Sequence, residues 1–261
     1  MRVDIHNHTT LCNHATGTTE EYIKKAISLG IDIYGFSDHA PMEFDKKYRM
    51  DISSKSCYEN EILNLKDRYK NDIEILLGYE VDYLKGDYIL DDVLNSKVDY
   101  LIGSVHFIND NWGFDNPEFI GEYKNKDIDT IWEDYFQAVQ NMVKLNKFDI
   151  VGHLDLIKVF KFLPKKDIKT IAKSCMEEIK KYNMVLEVNS AGFRKPIKEQ
   201  YPSIPLLELA FELDIPITFG SDAHSVEQVG LYYDKVSSIV KNIGYSKVVS
   251  FRNRDKIIFD L

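Results

Sequence analysis

Seven short apolar runs, rich in β-branched and aromatic residues, recur along the chain with amphipathic stretches between most of them. The runs cover about 3–6, 33–37, 73–81, 98–105, 148–152, 184–189 and 216–221. Helical periodicity appears at about 56–70, 128–145, 167–181, 204–213 and 231–242. A capping box at Thr18-Thr19-Glu20-Glu21 predicts a further helix that ends at Gly30, whereas 84–97 has room only for a small helix. Continuous apolar strands alternating with helices predict a parallel sheet covered by helices.

Side chains able to bind metals or anions follow every one of these runs. They are His6 and His8, Asp38 and His39, Glu80, His106, His153, Arg194, and Asp222 and His224. An open sheet collects its ligands at one crevice, from the loops of a few strands. Convergence from all seven strands requires a closed ring whose C-terminal mouth is the active site. We therefore predict an α/β fold, a single distorted TIM-like (β/α)7 barrel over residues 1–261, with a metal site at the C-terminal ends of the strands.

The spacing of these side chains favours a metal cluster. In His6-Asn7-His8, strand alternation places both imidazoles on one face, about 6–7 Å apart at the backbone. Asp222-Ala223-His224 repeats the arrangement with a carboxylate. Each motif alone is weak evidence, but their joint placement at the same ends of strands is not. Glu80 lies within apolar sequence, where an unpaired carboxylate would be costly, so it is either a bridging ligand or half of a buried ion pair.

Composition limits the possible partners and the compartment. A net charge of -9 argues against a nucleic-acid grip, which needs a basic face. No run approaches the roughly 18 apolar residues of a membrane span, and the start lacks a signal-peptide pattern. The three scattered cysteines, Cys12, Cys57 and Cys175, fit a reducing compartment, so we expect a cytoplasmic protein. Cys12 lies between His8 and His14, but an ordinary small thiol is the favoured interpretation.

In this order, the motifs resemble the PHP family, named for polymerase and histidinol phosphatase domains, and especially its stand-alone phosphatases. The segments that resemble it are Asp4-Ile5-His6-Asn7-His8, Gly35-Phe36-Ser37-Asp38-His39-Ala40-Pro41, Gly78-Tyr79-Glu80-Val81-Asp82-Tyr83, Ile102-Gly103-Ser104-Val105-His106-Phe107, Gly152-His153-Leu154-Asp155-Leu156-Ile157-Lys158, Ala191-Gly192-Phe193-Arg194-Lys195-Pro196 and Gly220-Ser221-Asp222-Ala223-His224. The resemblance spans nearly the whole chain, and it implies three divalent metal ions and nine protein ligands. The implied ligand sets are His6, His8, Glu80 and Asp222; then Glu80, His106 and His153; then His14, His39 and His224. Nitrogen and oxygen ligation suits zinc, iron or manganese.

Such a cluster favours hydrolysis, because divalent ions lower the pKa of water and clamp the oxygens of an in-line displacement. Asp222 would orient the water or take its proton. The alternative, to which we give equal weight, is that Asp222 is a metal ligand and nothing more. Arg194 is the candidate for gripping a phosphate, since a guanidinium matches phosphate bidentately. Lys158 follows His153 and could reach the same group, with a solvated surface charge as the alternative. Asp222, Arg194, Lys158 and the ligand His39 are the predicted catalytic residues.

The resemblance also implies a substrate, L-histidinol phosphate, which would be hydrolysed to L-histidinol and inorganic phosphate in histidine biosynthesis. A cationic alcohol calls for acidic and aromatic contacts, for which we select Phe114, Asp115, Glu199 and Tyr201. The main alternative function is that of a related nuclease or other phosphoesterase. The net negative charge of the chain argues against it. A metal-storing or metal-sensing protein is the second rival, but such a site has no need of the Arg194 clamp.

Overall fold

Seven parallel strands form one sheet in the computed structural model, which describes residues 1–109 and 111–261. In chain order the strands are β1 (Val3–Asp4), β2 (Ile33–His39), β3 (Glu74–Asp82), β4 (Tyr100–Ser104), β5 (Phe107–Ile108), β6 (Trp112–Gly113), β7 (Ile150–Val151), β8 (Val185–Asn189), β9 (Ile217–Gly220), β10 (Lys247–Arg252) and β11 (Asp255–Asp260). The sheet has the order β1-β2-β3-β4-β7-β8-β9, and each of these strands overlaps one of the seven predicted runs. The parallel arrangement predicted from the sequence is confirmed.

The two edges of this sheet meet, which makes it a nearly closed barrel. The backbone nitrogen of Ile5 donates to the carbonyl oxygen of Phe219 at 3.0 Å, and that of Asp222 donates to His6 at 2.7 Å. A parallel bridge between Asn7 and Ala223 continues the contact past the ends of β1 and β9. The closure brings the first and last strands side by side, so their C-terminal ends share one mouth.

Seven α-helices in the described ranges connect the strands and cover the barrel where the amphipathic pattern predicts them. They are α1 (Thr19–Ser28), α2 (Lys55–Arg68), α3 (Asp91–Leu94), α4 (Ile128–Lys144), α5 (Ile168–Lys181), α6 (Ile204–Glu212) and α7 (Tyr233–Ile243). The predicted capping box is present, because Thr18 and Glu21 exchange side-chain and backbone hydrogen bonds. The 84–97 segment holds only the single turn of α3. None of the helices in the described ranges is long and apolar enough to cross a membrane.

Two hairpins were not predicted from the sequence. Strands β10 and β11 pair antiparallel and close the amino-terminal end of the barrel. There Arg254 donates from its backbone to Asp99 and pairs through its side chain with Asp149, the residues just before β4 and β7. The short β5–β6 hairpin follows β4 at the opposite end and pairs Phe107 with Gly113. The first hairpin covers the end remote from the ligands, and the second adds a wall beside them.

Candidate metal centre and active site

The carboxylate of Glu80 lies at the centre of a ring of imidazoles. Glu80 is in β3 and is only 1% exposed. Its Oε2 faces His39 Nδ1 at 3.0 Å, His6 Nε2 at 3.5 Å and His8 Nε2 at 3.6 Å, and its Oε1 faces His153 Nε2 at 2.8 Å and His106 Nε2 at 3.9 Å. The two oxygens therefore face different histidines. This is the geometry expected of a carboxylate that bridges two ions.

Asp222 and the remaining histidines adjoin this centre. Oδ1 of Asp222 lies 3.2 Å from Nε2 of His8. The ring of His224 stacks on that of His8 with centroids 4.1 Å apart, and the ring of His14 lies 4.6 Å from that of His224. Asp222 has a left-handed backbone (φ 52°), which its 2.7 Å hydrogen bond to the carbonyl of His6 holds in place. All nine side chains predicted as ligands thus converge on one mouth of the barrel.

The donor atoms fit divalent metal ions. Ligand atoms lie within 4.8 Å of one another in the groups His6, His8 and Asp222; Glu80, His106 and His153; and His8, His39 and His224. The first two groups match two of the predicted ligand sets closely. The ligand atom of His14 instead lies within 4.8 Å of those of Cys12 and His224. The buried nitrogens His6 Nε2, His8 Nε2 and His39 Nδ1 lie 3.0–3.6 Å from carboxylate oxygens, but none of these contacts has the geometry of a hydrogen bond. Buried nitrogens that face carboxylates without a hydrogen bond between them are what a metal centre requires.

A second set of carboxylates lies behind the imidazoles. Glu187 in β8 accepts from Nδ1 of His6 at 2.6 Å and from the backbone nitrogen of His153 at 2.5 Å. Asp82 in β3 contacts Nδ1 of His106 and is itself paired with Arg49 at 2.7 Å. Such partners fix the tautomer and orientation of a ligating imidazole, leaving the other ring nitrogen for the metal. A similar contact links His8 and Asp38 at 3.3 Å.

Glu187, Asp82 and Arg49, which support the imidazoles, are not among the site residues predicted from the sequence. Glu187 stands in the apolar run Val185-Leu186-Glu187-Val188, so the burial argument that selected Glu80 applies to it equally. The close approach of Glu187 to the first strand also explains Gly220 in β9. A Cβ on Gly220 would collide with the Glu187 carboxylate and lie 2.6 Å from Cβ of His6.

The cluster is electrostatically coupled, and its carboxylates depend on neighbouring positive charge. Burial alone would raise the pKa of Glu80, yet the imidazoles of His6 and His39 hold that pKa well below its usual range. Burial opposes protonation of His106, but Asp82 raises the pKa of His106 to about 10. Bound divalent cations would meet the same demand for positive charge at the centre of the ring.

A cavity of about 420 Å³ lies over the cluster. Of the nine predicted ligands, all except the deeper His6 and His8 line it. Arg194 and Lys195 are the cationic side chains of its wall within the described chain. Arg194 Nη2 donates to the backbone oxygens of Ser221 at 2.8 Å and Asp222 at 2.9 Å, while its buried Nη1 has no partner among the described residues. An anion above the cluster would therefore meet a preoriented guanidinium.

The residues predicted to bind substrate divide into two groups. Asp115 and Tyr201 line the cavity beside Arg194. Phe114 does not; it is fully buried and packs edge-on against Tyr135, so the expectation of a stacking platform for the substrate is corrected.

Lys158 and Glu199 also lie outside the cavity wall. The Lys158 ammonium, 1% exposed, contacts Glu199 at 2.8 Å, the backbone oxygen of Gln200 at 2.8 Å and Asp155 at 3.1 Å. These three acceptors satisfy the three N–H donors of the ammonium group. Lys158 is therefore neither the phosphate contact that we expected nor the solvated surface charge that was the alternative. Glu199, which binds Lys158, is likewise removed from the predicted substrate contacts.

Comparison with known proteins agrees with this geometry. The family model described as PHP domain matches residues 4–191, and one described as PHP-associated matches 207–242. The chain is 36% identical over 255 residues to a Deinococcus radiodurans protein named "Probable histidinol-phosphatase", covering 96% of both chains. It is 28% identical to the histidinol-phosphatase of Bacillus subtilis, covering 88% of this chain and 96% of that one.

A solved structure supports the fold. The histidinol phosphate phosphatase of Lactococcus lactis, in complex with zinc, L-histidinol and phosphate, superimposes with a TM-score of 0.80 at 22% identity, covering 98% of each chain. Both segments matched by family models contribute to one structure here. The first begins within β1 and continues through β8, and the second contains most of α6 and α7 with β9 between them. With its matched domain spanning most of the barrel, the chain belongs to the PHP family.

Proposed function

We propose that this protein is a metal-dependent phosphomonoester hydrolase that converts L-histidinol phosphate to L-histidinol and inorganic phosphate. The observation that supports this most strongly is a ring of seven imidazoles and two carboxylates beneath a cavity that contains Arg194 and Lys195. Relatives along almost the whole chain, at 28–36% identity, are named histidinol-phosphatases. The cluster supports hydrolysis, and the relatives supply the choice of substrate.

The proposed ligand sets are those that the family resemblance implies. His6, His8, Glu80 and Asp222 would hold one ion; Glu80, His106 and His153 a second; and His14, His39 and His224 a third. Bound ions would supply an activated water molecule and positive charge for the phosphoryl oxygens. Zinc, iron and manganese all suit nitrogen and oxygen ligands.

The protein's own side chains then orient the reactants. Asp222 lines the cavity, and its Oδ2 accepts from Asn189 Nδ2 at 3.3 Å, which limits the rotation of the carboxylate. We assign Asp222 to orienting the attacking water and accepting its proton. Arg194 would donate to a phosphate oxygen through Nη1, because its Nη2 is already bound to the backbone.

Lys195, rather than Lys158, is the second cation proposed for the phosphate. Lys195 lines the cavity and has no ion-pair partner in the described part of the chain, whereas the buried Lys158 has two carboxylates within 3.1 Å. A small dianionic phosphate suits this pair of cations. The overall charge of -9 and the acidic Asp115 in the wall favour a small cationic ester over a polyanionic strand.

The first test is turnover and metal content of protein purified without chelator. We expect close to three divalent ions per chain and release of inorganic phosphate from L-histidinol phosphate. Chelation should abolish the activity, and restoring the ions should return it. Full activity in metal-stripped protein, or in Glu80→Ala, contradicts the proposal.

A further inference from the structure

The carboxylate of Asp4 is buried among neutral donors at the end of β1. It is 1% exposed and precedes the predicted ligand His6 by two residues. Its Oδ1 accepts from the backbone nitrogen of Ser221 at 2.8 Å and from Nδ2 of Asn7 at 3.2 Å. Its Oδ2 accepts from Oγ of Ser221 at 2.6 Å and from the backbone nitrogen of Gly230 at 3.1 Å. A carboxylate costs more to bury than a neutral side chain of the same size, so stability alone does not explain Asp4.

Asp4 anchors the segment that carries Asp222. Ser221 and Asp222 follow β9 directly, and Asp4 holds Ser221 by both its backbone nitrogen and its hydroxyl group. The next backbone nitrogen, that of Asp222, donates to the carbonyl oxygen of His6. Asp222 has a left-handed backbone, which residues with a Cβ rarely adopt, so the segment depends on contacts of this kind. The first strand and the residues after it therefore fix where the carbonyl groups of Ser221 and Asp222 point.

Those two carbonyl groups in turn hold the guanidinium of Arg194. Both accept from its Nη2, at 2.8 Å for Ser221 and 2.9 Å for Asp222, and Nη1 is the group that remains for a phosphate oxygen. Asp4 thus connects to Arg194 through a single residue, because Ser221 binds Asp4 on one side and Arg194 on the other. A binding group must be held within about 0.5 Å of its productive position, so a shift of Ser221 matters for phosphate binding.

We propose that Asp4 is a positioning residue for phosphate binding, and that it acts through Ser221 on Arg194. Neither Asp4 nor Ser221 lines the cavity over the metal cluster, so neither contacts the substrate itself. The inference rests on the phosphomonoesterase function proposed above and deepens it by identifying what orients the guanidinium. The alternative is that Asp4 only joins β1 to β9 where the barrel closes. In that case its loss lowers stability without changing the affinity of the folded protein for phosphate.

Two variants weaken this connection in different ways. Ser221→Ala removes only the hydroxyl group and keeps the backbone contacts. Asp4→Asn keeps the shape but replaces one oxygen by an NH2 group, which cannot accept from Ser221 or Gly230. The Kd of inorganic phosphate, measured by titration calorimetry on metal-loaded protein, should rise about 10-fold in each variant, because a hydrogen bond to a charged group is lost. Ser221→Thr keeps the hydroxyl group and should bind phosphate nearly as tightly as the wild type.

Asp32→Asn is the matched control. Asp32 also accepts from a backbone nitrogen, that of Arg2 at 2.6 Å, but it precedes β2 at the opposite end of the barrel. Its phosphate Kd should equal the wild-type value. Metal content is measured on the same samples and should stay at the wild-type level in all variants. An unchanged phosphate Kd in both Asp4→Asn and Ser221→Ala overturns the proposal, and so does a loss of metal that accounts for the weaker binding.

A double-mutant cycle shows whether the effect passes through Arg194. In the Arg194→Ala background, Ser221→Ala should change the phosphate Kd by less than about 2-fold, because the group that Ser221 orients is absent. Effects that multiply instead would overturn the proposal, since Ser221 would then act independently of Arg194. If Arg194→Ala alone leaves the Kd unchanged, the phosphate contact in the proposed function is wrong and this inference falls with it. If Arg194→Ala weakens binding but Ser221→Ala and Asp4→Asn do not, the proposed function stands and only the positioning role fails.

Discussion

Nδ1 of His6 and Oε1 of Glu187 lie 2.6 Å apart, and both side chains are 1% exposed. The other ring nitrogen of His6 faces Glu80 at 3.5 Å, so the imidazole spans two buried carboxylates. The contact with Glu187 selects the tautomer in which Nδ1 donates and Nε2 keeps its lone pair for an ion. His106 lies between Asp82 and Glu80 in the same way.

Glu187 is therefore predicted to control metal affinity without being a ligand. Glu187→Gln keeps the shape but removes the charge, and metal affinity should fall about 10- to 100-fold. Competition with a chromogenic chelator measures this, and circular dichroism should show unchanged helix content. Glu177→Gln, exposed on α5, is the control. Unchanged affinity in Glu187→Gln would refute the positioning role.

Metal removal is predicted to destabilise the fold. The buried carboxylates Glu80 and Asp222 depend on neighbouring positive charge to stay ionised, and bound cations provide more of it. An ion that binds only the native state at 100 times its Kd adds about 2.7 kcal/mol to the free energy of unfolding. At about 2–4 °C per kcal/mol for a domain of this size, Tm should rise by several degrees when ions are restored. Calorimetry with and without chelator measures this shift, which should be lost in Glu80→Ala. An identical Tm under both conditions contradicts the prediction.

Arg194 and Lys195 are predicted to act on the phosphate. Arg194→Ala should lower kcat/KM by about 10²–10³, because one preorganised charged donor is lost, while metal content stays at the wild-type level. Lys195→Ala should weaken inhibition by inorganic phosphate, and Lys195→Arg should restore much of it. Steady-state kinetics with phosphate as inhibitor provides both values. Neither cation is correctly assigned if both alanine variants retain wild-type efficiency and phosphate inhibition.

Lys158 is predicted to matter for stability instead. Its ammonium lies between the buried Asp155 and Glu199, so Lys158→Met leaves an uncompensated carboxylate in the interior. Breaking one side of a buried ion pair costs about 3–5 kcal/mol of unfolding free energy, measurable by urea denaturation. The inhibition constant of inorganic phosphate should stay close to the wild-type value. Weaker phosphate inhibition without a loss of stability would contradict this prediction and would support the phosphate contact expected from the sequence.

The barrel could be predicted from the sequence because its signals are local. Each apolar run ends at a polar residue, and the C-terminal ends of parallel strands meet at one mouth. His106 and His153 could therefore be placed together although they are 47 positions apart in the sequence. Glu80 was identifiable for the same reason, as a carboxylate in an apolar strand. The β10–β11 hairpin could not be predicted from strand–helix alternation, because two consecutive antiparallel strands break that alternation.

Substrate contacts were harder to predict because they depend on which way a loop side chain turns. Phe114 and Asp115 are adjacent, yet the first packs into the core and the second faces the cavity over the metal cluster. Lys158 follows β7 and Lys195 follows β8, so both lie near the mouth of the barrel, and only the nearby Asp155 and Glu199 determine that Lys158 is occupied. Sequence spacing places residues at the mouth, but three-dimensional packing decides which of them face the substrate.

Metal dependence and selectivity for L-histidinol phosphate are the two properties that the proposed function requires. Both are measured by comparing kcat/KM of the metal-loaded protein on L-histidinol phosphate, 4-nitrophenyl phosphate and a short oligonucleotide. We predict a preference for L-histidinol phosphate by several orders of magnitude, with all turnover lost on chelation. Faster cleavage of the oligonucleotide, or equal efficiency on the two monoesters, would contradict the assignment.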